Sequence, residues 1–311
     1  MRTLLVVLCF LAAAGIGAFW WLTAPESIAA EALPSAAGDP EKGEYVFYAT
    51  GCASCHAAPG AKGEDKLKLA GGLAFKTPFG TFYAPNISPD ETHGIGTWST
   101  PDFVNAVMRG VSPDGSHYYP AFPYLSYQRM SVGEVVDLKA FIDTLPAVAN
   151  DTPPHDLPLP LRLRRGVGLW KLLFMDYQPF VPLEGADPQI NRGAYLVNGP
   201  AHCGECHTPR NFLGGPDEDW AFSGGPEPDG KGFVPNITPH EQGIGDWTTR
   251  DIVSALETGF LPDFETFGGS MIAVQENMAK LTAEDREAIA AYLQALPAKP
   301  SPWRKKPSGG S

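Results

Sequence analysis

The chain contains the pattern Cys-x-x-Cys-His twice, at residues 52–56 and 203–207, an offset of 151 residues. The surrounding sequence repeats in step with it. Pro-Asn-Ile-Ser-Pro at residues 85–89 matches Pro-Asn-Ile-Thr-Pro at 235–239, and Gly-Ile-Gly-Thr-Trp at 94–98 matches Gly-Ile-Gly-Asp-Trp at 243–247. An offset that stays so steady predicts one domain in two copies. We place the first copy at residues 38–149, a linker at 150–186 and the second copy at 187–298.

Each copy is predicted to contain three helices, because each carries three N-terminal capping signals in the same order. The first signal is an Asp followed by Pro. The second and third are a hydroxyl residue three positions before an acid, the pattern of a capping box. The capping residues are Asp39, Ser99 and Ser131 in the first copy and Asp187, Thr248 and Thr282 in the second. No segment shows convincing strand alternation, so the fold class is expected to be all-α.

The repeated cysteine motif indicates covalent attachment of haem. Two thiols three positions apart can add to the two vinyl groups of a haem, and the adjacent histidine can then bind the iron. A redox dithiol would need a strand and helix around it, zinc would need more ligands nearby, and a disulfide across three residues is strained. The sequence therefore predicts two covalently bound haem c groups, with these ligands: Cys52, Cys55 and His56 for haem 1, and Cys203, Cys206 and His207 for haem 2.

These motifs, together with the runs at residues 85–98 and 114–120, resemble class I cytochromes c in tandem. The sequence is similar to the cytochrome c subunits of membrane-bound alcohol and gluconate dehydrogenases over residues 38–298. The resemblance implies a periplasmic dehydrogenase partner with a molybdenum, flavin or quinoprotein centre, and a quinone or terminal oxidase as acceptor. Those subunits often carry three haems, whereas this chain has two attachment motifs. Its catalytic partner can therefore differ from theirs.

The second iron ligand is expected to be methionine, the usual choice in electron-transfer haems of this type. In the second copy, Met271 lies in the loop before the last helix, where the family places its methionine, and Met278 is expected to pack in the core. In the first copy, the family segment Pro-Ala-Met-Pro-Tyr reads Pro-Ala-Phe-Pro-Tyr, and Phe122 cannot bind iron. Four alternatives remain, in this order: Met130, an open or water-bound site, Met108 and His117.

The N-terminus contains nineteen residues without charge, 4–22, which is long enough to span a bilayer. Trp20 and Trp21 close this run and suit the membrane–water interface, and Arg2 before it favours a cytoplasmic N-terminus. We expect residues 1–24 to be an uncleaved transmembrane anchor. Cleavage near residues 27–30, giving a soluble periplasmic protein, is the alternative. Cys9 is expected to face the membrane.

The formal net charge of -12 argues against nucleic acid or an anionic membrane surface as the main ligand. It fits a partner with a basic face, and it fits a role in solubility equally well. In the linker, residues 151–160 are expected to be extended, and residues 162–174 to form a helix packed between the two copies. Residues 299–311 are expected to be a disordered tail. Asn86 and Asn236 are expected to hold turns or to bond a haem propionate, and His202 is expected at the surface.

Two functions fit these residues. The first is a membrane-anchored electron carrier between a dehydrogenase and the respiratory chain, which needs only two placed haems and no acid–base residues. The second is a haem enzyme, a peroxidase or sulfur-compound oxidoreductase, with haem 1 as the reactive centre because its usual methionine is replaced. Thiosulfate dehydrogenases of similar layout use a cysteine ligand, and the spare cysteine here, Cys9, lies in the apolar run. The carrier is the favoured hypothesis.

Overall fold

The computed structural model describes residues 1–230 and 232–303, and the chain in these ranges is predominantly helical. Before and within the first copy the helices are α1 (Arg2–Leu22), α2 (Pro40–Thr50), α3 (Cys52–His56), α4 (Thr100–Arg109), α5 (Tyr124–Tyr127) and α6 (Val132–Ile142). The linker contains α7 (Leu159–Arg162) and α8 (Val167–Phe174). The second copy contains α9 (Pro188–Asn198), α10 (Gly204–His207), α11 (Thr249–Thr258), α12 (Met271–Met278) and α13 (Ala283–Ala295). Short 3-10 turns are Ala30–Ala32, Gly63–Lys68, Arg164–Gly166 and Glu218–Trp220.

The helix starts expected from the capping signals are confirmed. Asp39 and Asp187 cap α2 and α9, each with a proline in the first turn. Full capping boxes start α4, α6 and α11. The box expected at Thr282 is only half formed, because Thr282 caps α13 while the Asp285 carboxylate accepts hydrogen bonds from Arg192 and Tyr45 instead. A contact distant in sequence has replaced the local one.

In each copy, the first and third long helices cross at a glycine. A Cβ at Gly43 on α2 would collide with the backbone carbonyl of Asp137 on α6, and a Cβ at Gly193 on α9 would collide with that of Ala288 on α13. The two helices can therefore approach this closely only where the side chain is absent. Each crossing lies beside its own apolar core, and Ala49 from α2 of the first copy is buried in the core of the second.

The expectation that no segment forms a strand is wrong. Two small antiparallel hairpins follow the cysteine motifs: β1 (Ala74–Thr77) pairs with β2 (Gly80–Tyr83), and β3 (Gly225–Pro226) pairs with β4 (Phe233–Val234). With four and two residues a side, these strands are too short for alternation to be recognised in the sequence. The fold is thus helical with one hairpin inserted in each copy.

The linker helix and its place between the two copies are confirmed, because α8 contacts Tyr124 of the first copy and Leu213 of the second. Residues before it pair with the hairpin of the first copy, where Thr81 and Asp156 exchange backbone hydrogen bonds. On α8, the Trp170 indole donates to the Leu213 carbonyl of the second copy at 3.0 Å, and Phe174 lies against Gly215. Trp170 also packs edge-on against Tyr124 of the first copy, while the leucines of α8 remain exposed.

The segment after α1 and the C-terminal end of the described chain are anchored to the copies. The segment after α1 docks on α4, where Ile28 and Asn105 form two hydrogen bonds of 2.7 and 3.1 Å. At the C-terminus, Lys299 accepts and donates hydrogen bonds to the second copy and Ser301 is buried. The expected disordered tail is therefore ordered over 299–301, and residues 304–311 lie outside the described part of the chain.

Candidate haem-attachment sites

The two motif histidines are held in the same way. The Nδ1 atom of His56 lies 2.8 Å from the Pro85 carbonyl oxygen, and that of His207 lies 2.8 Å from the Pro235 carbonyl oxygen. Because a carbonyl only accepts, Nδ1 carries the proton in both rings and Nε2 keeps its lone pair. Burial lowers the pKa of both histidines, so the rings are neutral at neutral pH. This is the state an imidazole needs in order to bind iron, and the outer hydrogen bond orients the ring.

A glycine packs against each of these proline peptides. Gly71 and Gly224 adopt left-handed φ angles of 72° and 77°, and their amides donate to the His56 and His207 carbonyls at 2.7 and 2.8 Å. A Cβ on Gly71 would stand 2.5 Å from the carbonyl carbon of Pro85, and one on Gly224 would stand 2.7 Å from that of Pro235. The chain thus passes directly beneath the peptide that holds each histidine, with no room for a side chain.

The asparagines of the repeated Pro-Asn-Ile runs hold those same turns. The side-chain oxygen of Asn86 accepts from the Ser88 amide at 2.9 Å, and that of Asn236 accepts from the Thr238 amide at 2.7 Å. Their amide nitrogens donate at 2.7 Å to carbonyls beyond the third helix of each copy, at Val148 and at Lys299. The expected turn role of these asparagines is confirmed. Their side chains connect the proline carbonyl to the end of the copy.

The motif cysteines are not paired with one another in the structure. Burial raises the pKa of Cys52 to about 11 and that of Cys203 to about 12, and burial and the nearby Cys206 raise that of Cys55 to about 12. A redox dithiol needs a lowered thiol pKa, so this environment is the opposite of the one that such chemistry requires. Within the described residues, no three His, Cys, Asp or Glu side chains are grouped as a metal site of the zinc type would need. Neutral thiols beside a neutral histidine fit attachment of haem c.

The methionines expected as iron ligands lie at the same cores as the cysteines. Met130 is buried in the first core, against which Cys52 and Phe122 pack. Met271 begins α12 and, like Cys203, packs at the edge of the second core. Met278 is a buried core residue on α12, whereas Met271 is only partly buried. In the first core Met108 and Met130 are buried alike, so burial does not distinguish them.

Two other histidines contact backbone carbonyls. The sequence offered His117 as an alternative iron ligand and predicted His202 at the surface. The Nε2 atom of His117 lies 2.9 Å from the Thr23 carbonyl oxygen, so this ring is engaged at the end of α1. His202 is not a free surface residue. Its ring packs edge-on against Tyr127 at 5.5 Å, and its Nε2 atom lies 3.3 Å from the Thr50 carbonyl oxygen, between the two copies.

The two copies contact each other through matching residues. The Tyr45 hydroxyl donates to the Asp285 carboxylate, and its counterpart, the Tyr195 hydroxyl, donates to the Glu134 carboxylate. In both pairs the tyrosine oxygen also accepts from the amide of the capping residue, at 3.4 Å from Thr282 and 3.3 Å from Ser131. Each first helix is thereby fixed to the start of the third helix of the other copy.

A second matched pair joins the attachment helices to the segments before the third helices. Ser54 on α3 accepts from the Asn277 side chain on α12 at 2.9 Å, and Ser126 on α5 donates to Glu205 on α10 at 3.0 Å. Each attachment helix is thereby joined to the other copy.

Sequence reasoning missed the glycines and the tyrosine–acid contacts. The glycines carried a signal, because Gly71-Gly72 and Gly224-Gly225 follow the two motifs at comparable distances. The tyrosines carried one too, since Tyr45 and Tyr195 belong to the repeated Gly-x-Tyr pattern. Their partners could not be read from the sequence, because they lie more than 60 residues away.

A helical domain that holds two free thiols and an oriented neutral histidine in this way defines an electron-transfer protein of the c-type cytochrome class. The cytochrome c family model matches residues 40–146. The chain belongs to the cytochrome c family, among the diheme c-type cytochromes: a protein of Cereibacter sphaeroides named diheme cytochrome c-type is 50% identical over 279 residues, covering 89% of this chain and 93% of that protein.

Two further relatives are subunits of dehydrogenases. The cytochrome c subunit of alcohol dehydrogenase (quinone) from Gluconacetobacter polyoxogenes is 38% identical over 84% of this chain and 56% of the relative. The gluconate 2-dehydrogenase cytochrome c subunit of Pantoea cypripedii is 36% identical over 83% of this chain and 60% of the relative. The chain therefore spans little more than half the length of these two subunits. The expected resemblance to alcohol and gluconate dehydrogenase subunits is confirmed.

Proposed function

We propose that this chain is a membrane-anchored periplasmic diheme cytochrome c that carries electrons from a dehydrogenase to the respiratory chain. The observation that carries the proposal is the matched geometry of His56 and His207, each with Nδ1 on a proline carbonyl and Nε2 free. Haem c supplies one-electron redox chemistry when bound. The chain's own residues attach it, orient the histidines and set the separation of the two sites. The names of the relatives support a dehydrogenase as the electron donor, and we propose a quinone or a terminal oxidase as the acceptor.

Attachment through Cys52, Cys55, Cys203 and Cys206 is tested by counting haems. The holoprotein should contain two irons per chain, and acid–acetone should extract neither haem. Cys203→Ala with Cys206→Ala should leave one haem, that of the first copy. Cys9→Ala is the matched control and should keep both. One iron per chain in the wild type, or extractable haem, would refute the proposal.

We assign Met271 and Met130 as the second iron ligands: Met271 lies partly buried at the edge of the second core, and Met130 directly precedes the residue that caps α6. Met271→Leu should abolish the near-infrared band of His/Met ligation from haem 2, because leucine keeps the volume but lacks the sulfur. Met278→Leu is the control on the same helix and should keep it. Met130→Leu should abolish the same band from haem 1, and Met108→Leu is the control that should keep it. A wild-type haem 1 that is high-spin and binds cyanide would instead favour a haem enzyme.

The anchor is supported by contacts at the end of α1. This helix is long and apolar enough to cross a membrane, with a mean hydropathy of 2.3, although a signal sequence passes the same test. Thr23, just after it, is 1% exposed and contacts His117 and Arg165. Cleavage near residues 27–30 would remove Thr23 and leave both partners without it. Sequencing of the mature N-terminus should therefore begin at Met1 or Arg2, and a start near Glu31 would refute the anchor.

A further inference from the structure

The linker helix α8 buries its lysine and exposes its leucines, which is the reverse of the usual arrangement. Its lysine, Lys171, is 1% exposed, whereas Leu169, Leu172 and Leu173 are 45%, 53% and 67% exposed. The three leucines are at positions i, i+3 and i+4, so they share one face of the helix. A helix on a water-exposed surface buries its leucines and exposes its lysine. The leucine face, defined as these three residues, is therefore built to meet an apolar medium.

The fold fixes this orientation. The Lys171 ammonium donates to the carbonyl oxygens of Arg109 and Gly110, at 2.5 and 2.8 Å, and lies 4.6 Å from the centre of the Tyr124 ring. The Lys171 side chain thereby satisfies the Arg109 carbonyl in the last turn of α4, while the Gly110 carbonyl also accepts from the Tyr118 amide. Rolling the leucines inward would withdraw Lys171 and leave the Arg109 carbonyl without this partner, which is unfavourable.

The leucine face begins where the candidate membrane span ends. Gly168, which precedes Leu169, packs against the backbone of Thr23, where a Cβ would be 2.8 Å from the Thr23 Cα. Arg165 donates to the Thr23 hydroxyl at 2.8 Å, and its guanidinium lies 4.6 Å from the centre of the Trp20 ring. Tryptophan and arginine at the end of a span mark the depth of the lipid headgroups. The start of α8 is therefore at headgroup depth when α1 crosses a bilayer.

The charge of this segment fits the same surroundings. Residues 159–174 contain three arginines and one lysine but no acid, within a chain whose formal net charge is -12. Leu159 and Leu163, just before α8, are 79% and 60% exposed. A short segment with exposed leucines and cations is the composition of an element that lies in the membrane interface and is attracted to anionic lipids.

We infer that the leucine face of α8 inserts into the headgroup boundary of the leaflet in which α1 ends, and so holds both copies flat on the membrane surface. The inference rests on the proposed function, because it needs α1 to span the bilayer. It adds a second membrane contact, provided by the linker between the two haem-binding copies. The leucine face is then covered by lipid.

Site-directed spin labelling of the full-length holoprotein in liposomes with anionic lipid tests this inference. In a Cys9→Ser background, labels are placed at Leu172→Cys in the leucine face, at Val181→Cys as a control that is 70% exposed in the same linker, and at Ala14→Cys within α1. Power saturation with oxygen reports contact with lipid, and saturation with a water-soluble nickel chelate reports contact with water. We expect the labels at 14 and 172 to respond to oxygen and the label at 181 to respond to nickel.

The other outcomes separate the inference from the proposed function. A label at 172 that behaves like the label at 181, while 14 remains in lipid, overturns the inference alone. A label at 172 shielded from both reagents shows a protein partner, such as a second copy of the chain, and also overturns it. A label at 14 that responds to nickel refutes the anchor itself.

Discussion

Replacing Gly71 by alanine would place a methyl group inside the peptide that orients His56. The new Cβ would stand 2.5 Å from the carbonyl carbon of Pro85, where ordinary contact begins at 3.4 Å. That peptide must move by about 1 Å, and the hydrogen bond of 2.8 Å between His56 Nδ1 and the Pro85 oxygen is then lost. The left-handed φ costs alanine about 1–2 kcal/mol and the lost hydrogen bond about 1 kcal/mol, so unfolding becomes easier by about 2–3 kcal/mol.

The reduction potential gives the more specific result. A histidine without its Nδ1 hydrogen bond is a weaker donor to iron, so the ferric state loses stabilisation and the potential of haem 1 should rise. For one electron, each 1 kcal/mol corresponds to about 40 mV, so a rise of about 20–40 mV is expected. Spectroelectrochemical titration measures both haems in one experiment, and haem 2 should not move.

The matched control is Gly115→Ala. Gly115 has a φ of 78° but no atom within 4 Å of an added Cβ. Alanine at this position therefore has the unfavourable backbone conformation without the steric collision. Gly224→Ala should act on haem 2 as Gly71→Ala acts on haem 1, because Gly224 lies under the Pro235 peptide. If Gly71→Ala matches Gly115→Ala in stability and leaves both potentials unchanged, the role assigned to the glycines is refuted.

Two further predictions concern the contact between the copies and a buried cation. Tyr45→Phe and Tyr195→Phe should each lower the free energy of unfolding by about 1–2 kcal/mol, because each removes a hydrogen bond to a carboxylate, and both haem spectra should stay unchanged. Tyr83→Phe is the control. An equal loss of stability in all three variants, measured by denaturant titration, would contradict the prediction. Burial, with the nearby Arg109, lowers the pKa of Lys171 to about 7, so between pH 7 and its usual 10.5 the unfolded chain binds the extra proton and stability should rise with pH. From pH 7 to 9 the free energy of unfolding of the wild type should rise by about 2 kcal/mol more than that of Lys171→Met, as measured by thermal and denaturant unfolding. An equal rise in the wild type and in Lys171→Met would contradict the prediction.

Local signals in the sequence predicted local structure. The capping residues located the helices because a cap and the amide that it satisfies are at most three positions apart. The attachment motif and its expected cofactor could be read for the same reason. The half-formed box at Thr282 shows the limit, since the competing Arg192 is ninety-three residues from Asp285.

Features that depend on how segments meet were not predictable from the sequence. The hairpins are too short to show alternation, and the close approach of Gly71 to Pro85 exists only in the folded chain. The linker helix lies between the copies as expected, but which of its faces is buried was not predictable. Its leucines face outward because Lys171 turns inward to the carbonyls of Arg109 and Gly110 at the end of α4.

The paired contacts between the copies have a further consequence. Tyr45 with Asp285 and Tyr195 with Glu134 form the pattern of a two-fold symmetric dimer, in which one patch meets an identical patch. Each copy therefore carries both halves of a self-complementary surface. A single copy produced alone would be expected to form a homodimer at high concentration, and fusion into one chain makes that association intramolecular, so that the two copies stay paired at any dilution.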